Sequence, residues 1–107
     1  MQDAIRDHGI QPLDELMTRW AVTNHHLVGT SIEQLNHKQI QRARKGRQLT
    51  LHLMQKVART LNETLMTRLP EEERAKFTPY THKHLFNYAK DHDALRADPN
   101  VPLMPES

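Results

Sequence analysis

The sequence predicts an all-α fold, and three observations carry that expectation. Apolar residues recur at intervals of three and four in several stretches, which is the spacing of one buried helix face. The abundant Leu, Gln, Lys, Arg and Met are helix formers, whereas aromatics are 5% of residues and glycines number three, too few for a sheet-rich fold with tight turns. Residues that cap helices stand just ahead of the periodic stretches. With 107 residues, 36% of them apolar, the chain is expected to form one small domain with a small core.

Residues 1–11 hold few apolar anchors and read as a flexible N-terminal arm. Pro12 suits the first position of a helix, and Asp14 and Glu15 lie near its positive end. Leu13, Leu16, Met17 and Trp20 then form a full buried stripe, with Trp20 as the core anchor. Ala21-Val22 breaks the stripe. Thr23 caps a short second helix, Asn24 to Val28, which Gly29 is expected to stop. Ser31 to Leu35 reads either as a helical turn with a Ser31/Gln34 capping box or as the start of a longer helix reaching residue 45.

The third main helix runs from His37 to Lys45. Asn36 caps it, Ile40 and Ala43 face inward, and Gly46 takes the left-handed conformation that ends it. Thr50 caps the next helix, in which Leu51, Met54, Val57, Ala58 and Leu61 share one face while His52, Gln55, Lys56 and Arg59 share the other. Asn62 offers a stop, after which Thr64 to Leu69 makes a short fifth helix. Residues 70–97 read as a helical C-terminal extension: Pro70 with Glu71, Glu72 and Glu73 starts one helix ending near Phe77, and a second spans about Thr81 to His92. Residues 98–107, with three prolines, read as a disordered tail.

Charge is sorted along the chain. Between Gln34 and Asn62 stand seven Lys or Arg residues (Lys38, Arg42, Arg44, Lys45, Arg47, Lys56 and Arg59) and no Asp or Glu. The formal net charge of the whole is only +2, so the remainder is net acidic. A one-signed block of this kind is the electrostatic footprint of a polyanion binder. Within it Lys38 and Arg42 suit guanine O6 and N7, and Gln39 or Gln41 suits adenine.

Other chemistry is poorly represented. The absence of cysteine excludes a disulfide framework, a thiolate zinc site and a cysteine nucleophile. Among eight histidines, His25 and His26 are adjacent, His82 and His84 are two apart, and His84 and His92 are too far apart on one helix. None of these has the i, i+4 spacing that lets two imidazoles meet one ion, so no metal or cofactor is expected. No glycine-rich phosphate loop, nucleophile elbow or paired-carboxylate arrangement appears, and an enzyme is not expected. No apolar run approaches the roughly 20 residues that span a bilayer, and the N-terminal residues lack a signal peptide's regions, so a cytoplasmic protein without membrane partners is expected.

A capped short helix, a turn, a basic helix ended by glycine and a further amphipathic helix are the parts of a helix-turn-helix domain. Through Thr23 to Val28, Ile40 to Arg47 and Val57 to Leu61, the chain resembles the lambda-repressor-like family, also called the Cro/Xre type. The resemblance covers about residues 12 to 65, with Leu27-Val28, Ile40 and Gly46 at the positions of the family pattern; Arg44 is basic where the family is often acidic.

It implies a compact five-helix domain over residues 12–69 that binds double-stranded DNA and regulates transcription, with helix 37–45 in the major groove. It implies a contact set of Asn24, Asn36, His37, Lys38, Gln39, Gln41, Arg42, Lys45 and Arg47, with Asn24 near phosphate and Arg47 near the backbone. One such helix reads about half a site, so Leu85, Phe86 and Tyr88 of the extension serve either a homodimer contact or the core. The alternative is an RNA-binding or protein-interaction module on the same fold.

Overall fold

The computed structural model describes residues 8–32, 34–90, 92 and 98–105. Its helices are α1 (Pro12–Arg19), α2 (Asn24–Thr30), α3 (His37–Lys45), α4 (Leu51–Arg68), α5 (Glu71–Arg74) and α6 (His82–Leu85), with a 3-10 turn at Val101–Leu103. The fold is all-α. No helix among the described residues is long and apolar enough to cross a membrane.

α1 packs on α3 and α6, α2 packs on α3 and α4, and α4 also packs on α6. One apolar core runs through them, built on Leu13, Met17, Leu27, Ile40, Val57, Leu61 and Leu65, all fully buried. The caps stand where local chemistry puts them. Thr23 Oγ1 accepts from His26 N at 3.3 Å, Asn36 Oδ1 from Gln39 N at 2.8 Å, and Thr50 Oγ1 from Leu53 N at 3.1 Å. Each satisfies an amide that has no partner inside its own helix.

Several expectations are corrected. α2 passes through Gly29 and ends at Ser31, whose backbone is extended. Neither reading of Ser31 to Leu35 holds: Gln34 adopts a left-handed φ of 61°, and the Ser31 hydroxyl accepts from Leu35 N at 3.0 Å, closing a loop instead of a helical turn. Buried Leu35 anchors that loop. Leu51, expected on the buried face, is 54% exposed, because as the first residue of α4 its side chain leans back beyond the core.

α4 does not stop at Asn62, so among the described residues four helices, not five, span residues 12–69. Asn62 leaves its own helix intact because its amide is used elsewhere: Oδ1 accepts from Tyr80 N and Nδ2 donates to Tyr80 O, both at 2.8 Å. In the extension both helices are short. After α5 the chain closes two 3-10 type bonds, Lys76 N to Glu73 O and Phe77 N to Arg74 O. After α6 the backbone turns extended at Phe86, which sends neighbouring Leu85 and Phe86 both into the core. The extension's aromatics therefore pack on the domain.

The termini are tied down where they are described. Residues 1–7 of the expected arm and residues 106–107 of the expected tail lie outside the described residues. Against the expectation of a disordered tail, Asn100 is fully buried, with its side chain accepting from Thr78 N and donating to Thr78 O at 2.8 Å. Tyr80 Oη donates to both Asp98 oxygens at 2.8 and 2.9 Å and accepts from Trp20 Nε1 at 3.2 Å. Burial pushes the Tyr80 hydroxyl up to about 12.

Candidate nucleic-acid interface

α3 has two faces. Ile40 and Ala43 are fully buried, and the exposed side carries His37, Lys38, Gln41, Arg42 and Lys45. At about 100° per residue these five occupy one continuous arc of roughly 140°. Among the described residues, the side chains of Lys38, Arg42 and Lys45 have no hydrogen-bond or ion-pair partner. The His37 ring lies near-parallel to that of His25, with centroids 6.1 Å apart. Cations in the last turn also complement the negative end of the helix, which favours them in the folded state without any ligand.

The edge of α3 that meets α1 and α2 is occupied by a polar chain. Arg44 Nε donates to Asp14 Oδ1 at 2.6 Å, and Arg44 Nη1 donates to Asn24 Oδ1 at 2.7 Å. Asn24 Nδ2 in turn donates to Gln41 Oε1 at 3.0 Å. The basic residue that departs from the family pattern thus joins α1, α2 and α3. Sequence reasoning missed this use of Arg44, because Asp14 lies 30 residues away and no local spacing pairs the two.

The C-terminal end of α3 is clamped by the segment before α1. Gly46 has φ of 99°, and a Cβ there would overlap the Gly9 backbone. Glycine is required both for its left-handed turn and for this approach. His8 N donates to Gly46 O at 2.8 Å and Gln11 N to Arg44 O at 3.0 Å. Gln11, 1% exposed, also donates from Nε2 to Gly9 O at 2.8 Å and accepts from Asn87 N at 2.7 Å. Tyr88 stacks on His8 with centroids 4.2 Å apart and accepts from Leu49 N at 3.0 Å; burial raises its hydroxyl. Nothing local in the sequence marks Gln11 or Tyr88, because their partners are 33 to 80 residues away or bonded through backbone atoms.

The expected contact residues therefore divide. His37, Lys38, Gln41, Arg42 and Lys45 share the outer face of α3, and Arg47 is exposed just beyond its end. Asn36 and Gln39 are turned inward on each other as the cap: beside the Asn36 Oδ1 bond, Gln39 Oε1 accepts from Asn36 N at 3.1 Å. Gln39's oxygen is thereby committed. Asn24 is half-buried, and both ends of its amide are engaged.

No protein-family model, curated protein or solved structure matches the chain.

Proposed function

We propose that this chain is a sequence-specific duplex-DNA-binding protein of the lambda-repressor-like kind its sequence resembles, acting as a transcriptional regulator. The observation that carries the reading is the row of cations, Lys38, Arg42 and Lys45, unpartnered among the described residues, on the outer face of a capped and clamped helix within an acid-free block. An α-helix fits the major groove of B-DNA, which is about 12 Å wide. Lys38 and Arg42 donate to guanine O6 and N7 there, and Lys45 and Arg47 neutralise phosphates at the groove edge.

Titration of duplex DNA with increasing salt tests the reading. Each neutralised phosphate releases condensed counterions, so the log–log slope of affinity against salt is expected to be about −0.9 per contact. Salt-insensitive binding, or stronger binding to an RNA duplex whose deep, narrow major groove excludes a helix, would replace it with the interaction-module or RNA-binding alternative.

A further inference from the structure

The outward polarity of the Gln41 amide is set by Arg44, three residues further along the same helix. Arg44 carries donors only, so whatever faces its Nη1 must be an acceptor. At 2.7 Å that group is Asn24 Oδ1, which commits the oxygen of Asn24 to Arg44 and leaves its nitrogen for the other side. The same reasoning passes one step further. Asn24 Nδ2 presents a donor to Gln41, so Gln41 must answer with Oε1, at 3.0 Å. Asp14, 2.6 Å from Arg44 Nε, holds the start of the chain in place.

What remains is Gln41 Nε2, a pair of N–H donors on an exposed residue at the edge of the cationic face. Among the described residues it has no protein partner. We propose that Gln41 is a specificity-determining donor, held in this polarity by Asp14, Arg44 and Asn24, which selects a keto base, guanine or thymine, in the major groove. This rests on the duplex-DNA reading above.

Base edges differ in what they offer such a donor. Guanine presents N7 and O6 and thymine presents O4, all acceptors, whereas cytosine presents only its N4 amino donor. Adenine combines an N7 acceptor with an N6 donor, and its paired bond with glutamine needs both oxygen and nitrogen of the amide. Here Oε1 already accepts from Asn24 on α2, so the two-bond adenine pattern is disadvantaged. Residue type alone suits Gln41 to adenine; its bonding reverses that preference. Asn24 is a positioning residue, acting on the base through Gln41.

Selection from a randomised duplex pool tests this with the full chain, its Gln41→Glu variant and its Asn24→Ala variant, each checked for helicity by circular dichroism. The unaltered chain is expected to enrich guanine or thymine about tenfold at one position of the selected site. Gln41→Glu still accepts from Asn24 but turns an acceptor outward, so that position is expected to move to adenine or cytosine while the rest of the site stays. Asn24→Ala frees the amide to turn over, and adenine is expected to enter at the same position. A site with no position responsive to Gln41→Glu would overturn the proposal and leave DNA binding standing. No enriched site, together with no salt-sensitive duplex binding, would overturn the DNA-binding reading and this proposal with it.

Discussion

Five residues separate the start of α4 from the end of α3, and at the last residue of α4, about 26 Å along by the helical rise, Arg68 Nη2 donates to Ala21 O in the turn after α1. The two ends are built differently. At the Arg68 end, Trp20, Phe77 and Tyr80 interlock edge-to-face with centroids 6.1–6.2 Å apart, and the polar atoms of Trp20 and Tyr80 are paired. Tyr80 further gathers Asp98, and Asn62 gathers the Tyr80 backbone. At the Leu51 end Leu51 itself is exposed, Leu49, Leu53 and Tyr88 are only partly buried against the core, and Lys45, Arg47, Gln48 and His52, near in sequence, are exposed.

An aromatic cluster with its polar atoms paired stands at one end, and the exposed cations of α3 precede the other. Arg42 and Arg44 show the same division within one helix turn: Arg44 is bonded to Asp14 and Asn24 and helps hold the fold, whereas Arg42 meets no protein group among the described residues. A cation with a partner does structural work. One without a partner retains its charge for a ligand.

The largest effect is expected at the aromatic end. Trp20, 2% exposed, fills the junction of α1 with the extension, and Trp20→Ala is expected to cost about 3–5 kcal/mol in denaturant unfolding. A loss that size takes most of the stability of an ordinary small domain. An unchanged unfolding midpoint would mean that the aromatic end is not where the domain is held.

A smaller effect sharpens the same contrast. Tyr80→Phe leaves the buried Trp20 indole N–H without its acceptor and is expected to cost about 1–3 kcal/mol. It is also expected to change the alkaline limb. Tyr80 holds its proton up to about pH 12 in the folded state, against 10 when unfolded, so the folded state binds more protons between those values. Stability is then fully present below pH 10 and falls by up to about 1.4 kcal/mol per pH unit above it. Tyr80→Phe is expected to flatten that fall, leaving the contribution of Tyr88, whose hydroxyl is also raised by burial. Equal slopes in the two proteins, from denaturation curves collected across this range, would assign the alkaline loss elsewhere.

What was legible in the sequence is what depends on near neighbours. Thr23, Asn36 and Thr50 cap helices because the amide each satisfies lies three residues on, and Gly46 ends α3 because the left-handed turn is a property of its own backbone. The outer face of α3 followed in the same way from the spacing of Ile40 and Ala43. What was not legible depends on distant partners. Asn62 breaks helices when its amide competes for local backbone, but here the backbone of Tyr80 takes both of its groups. Gln34 and Phe86 take backbone angles that serve the burial of Leu35 and of the Leu85-Phe86 pair, and short polar sequences carry no local mark of either. In the candidate site, residue type placed Gln39 and Gln41 on equal terms, and only the third dimension shows one spent on a cap and the other turned outward.

On the proposed function, the outer face of α3 reads bases while Arg47, exposed beyond its end, only holds the backbone. Affinities of Arg42→Ala and Arg47→Ala for a selected site and for random duplex, measured side by side at one salt concentration, test it most directly. Arg42→Ala is expected to lose about tenfold, or ~1.4 kcal/mol, on the selected site and little on random duplex, whereas Arg47→Ala is expected to weaken both alike. Equal losses by both variants on both duplexes would contradict it, leaving α3 as an electrostatic surface with no reading face.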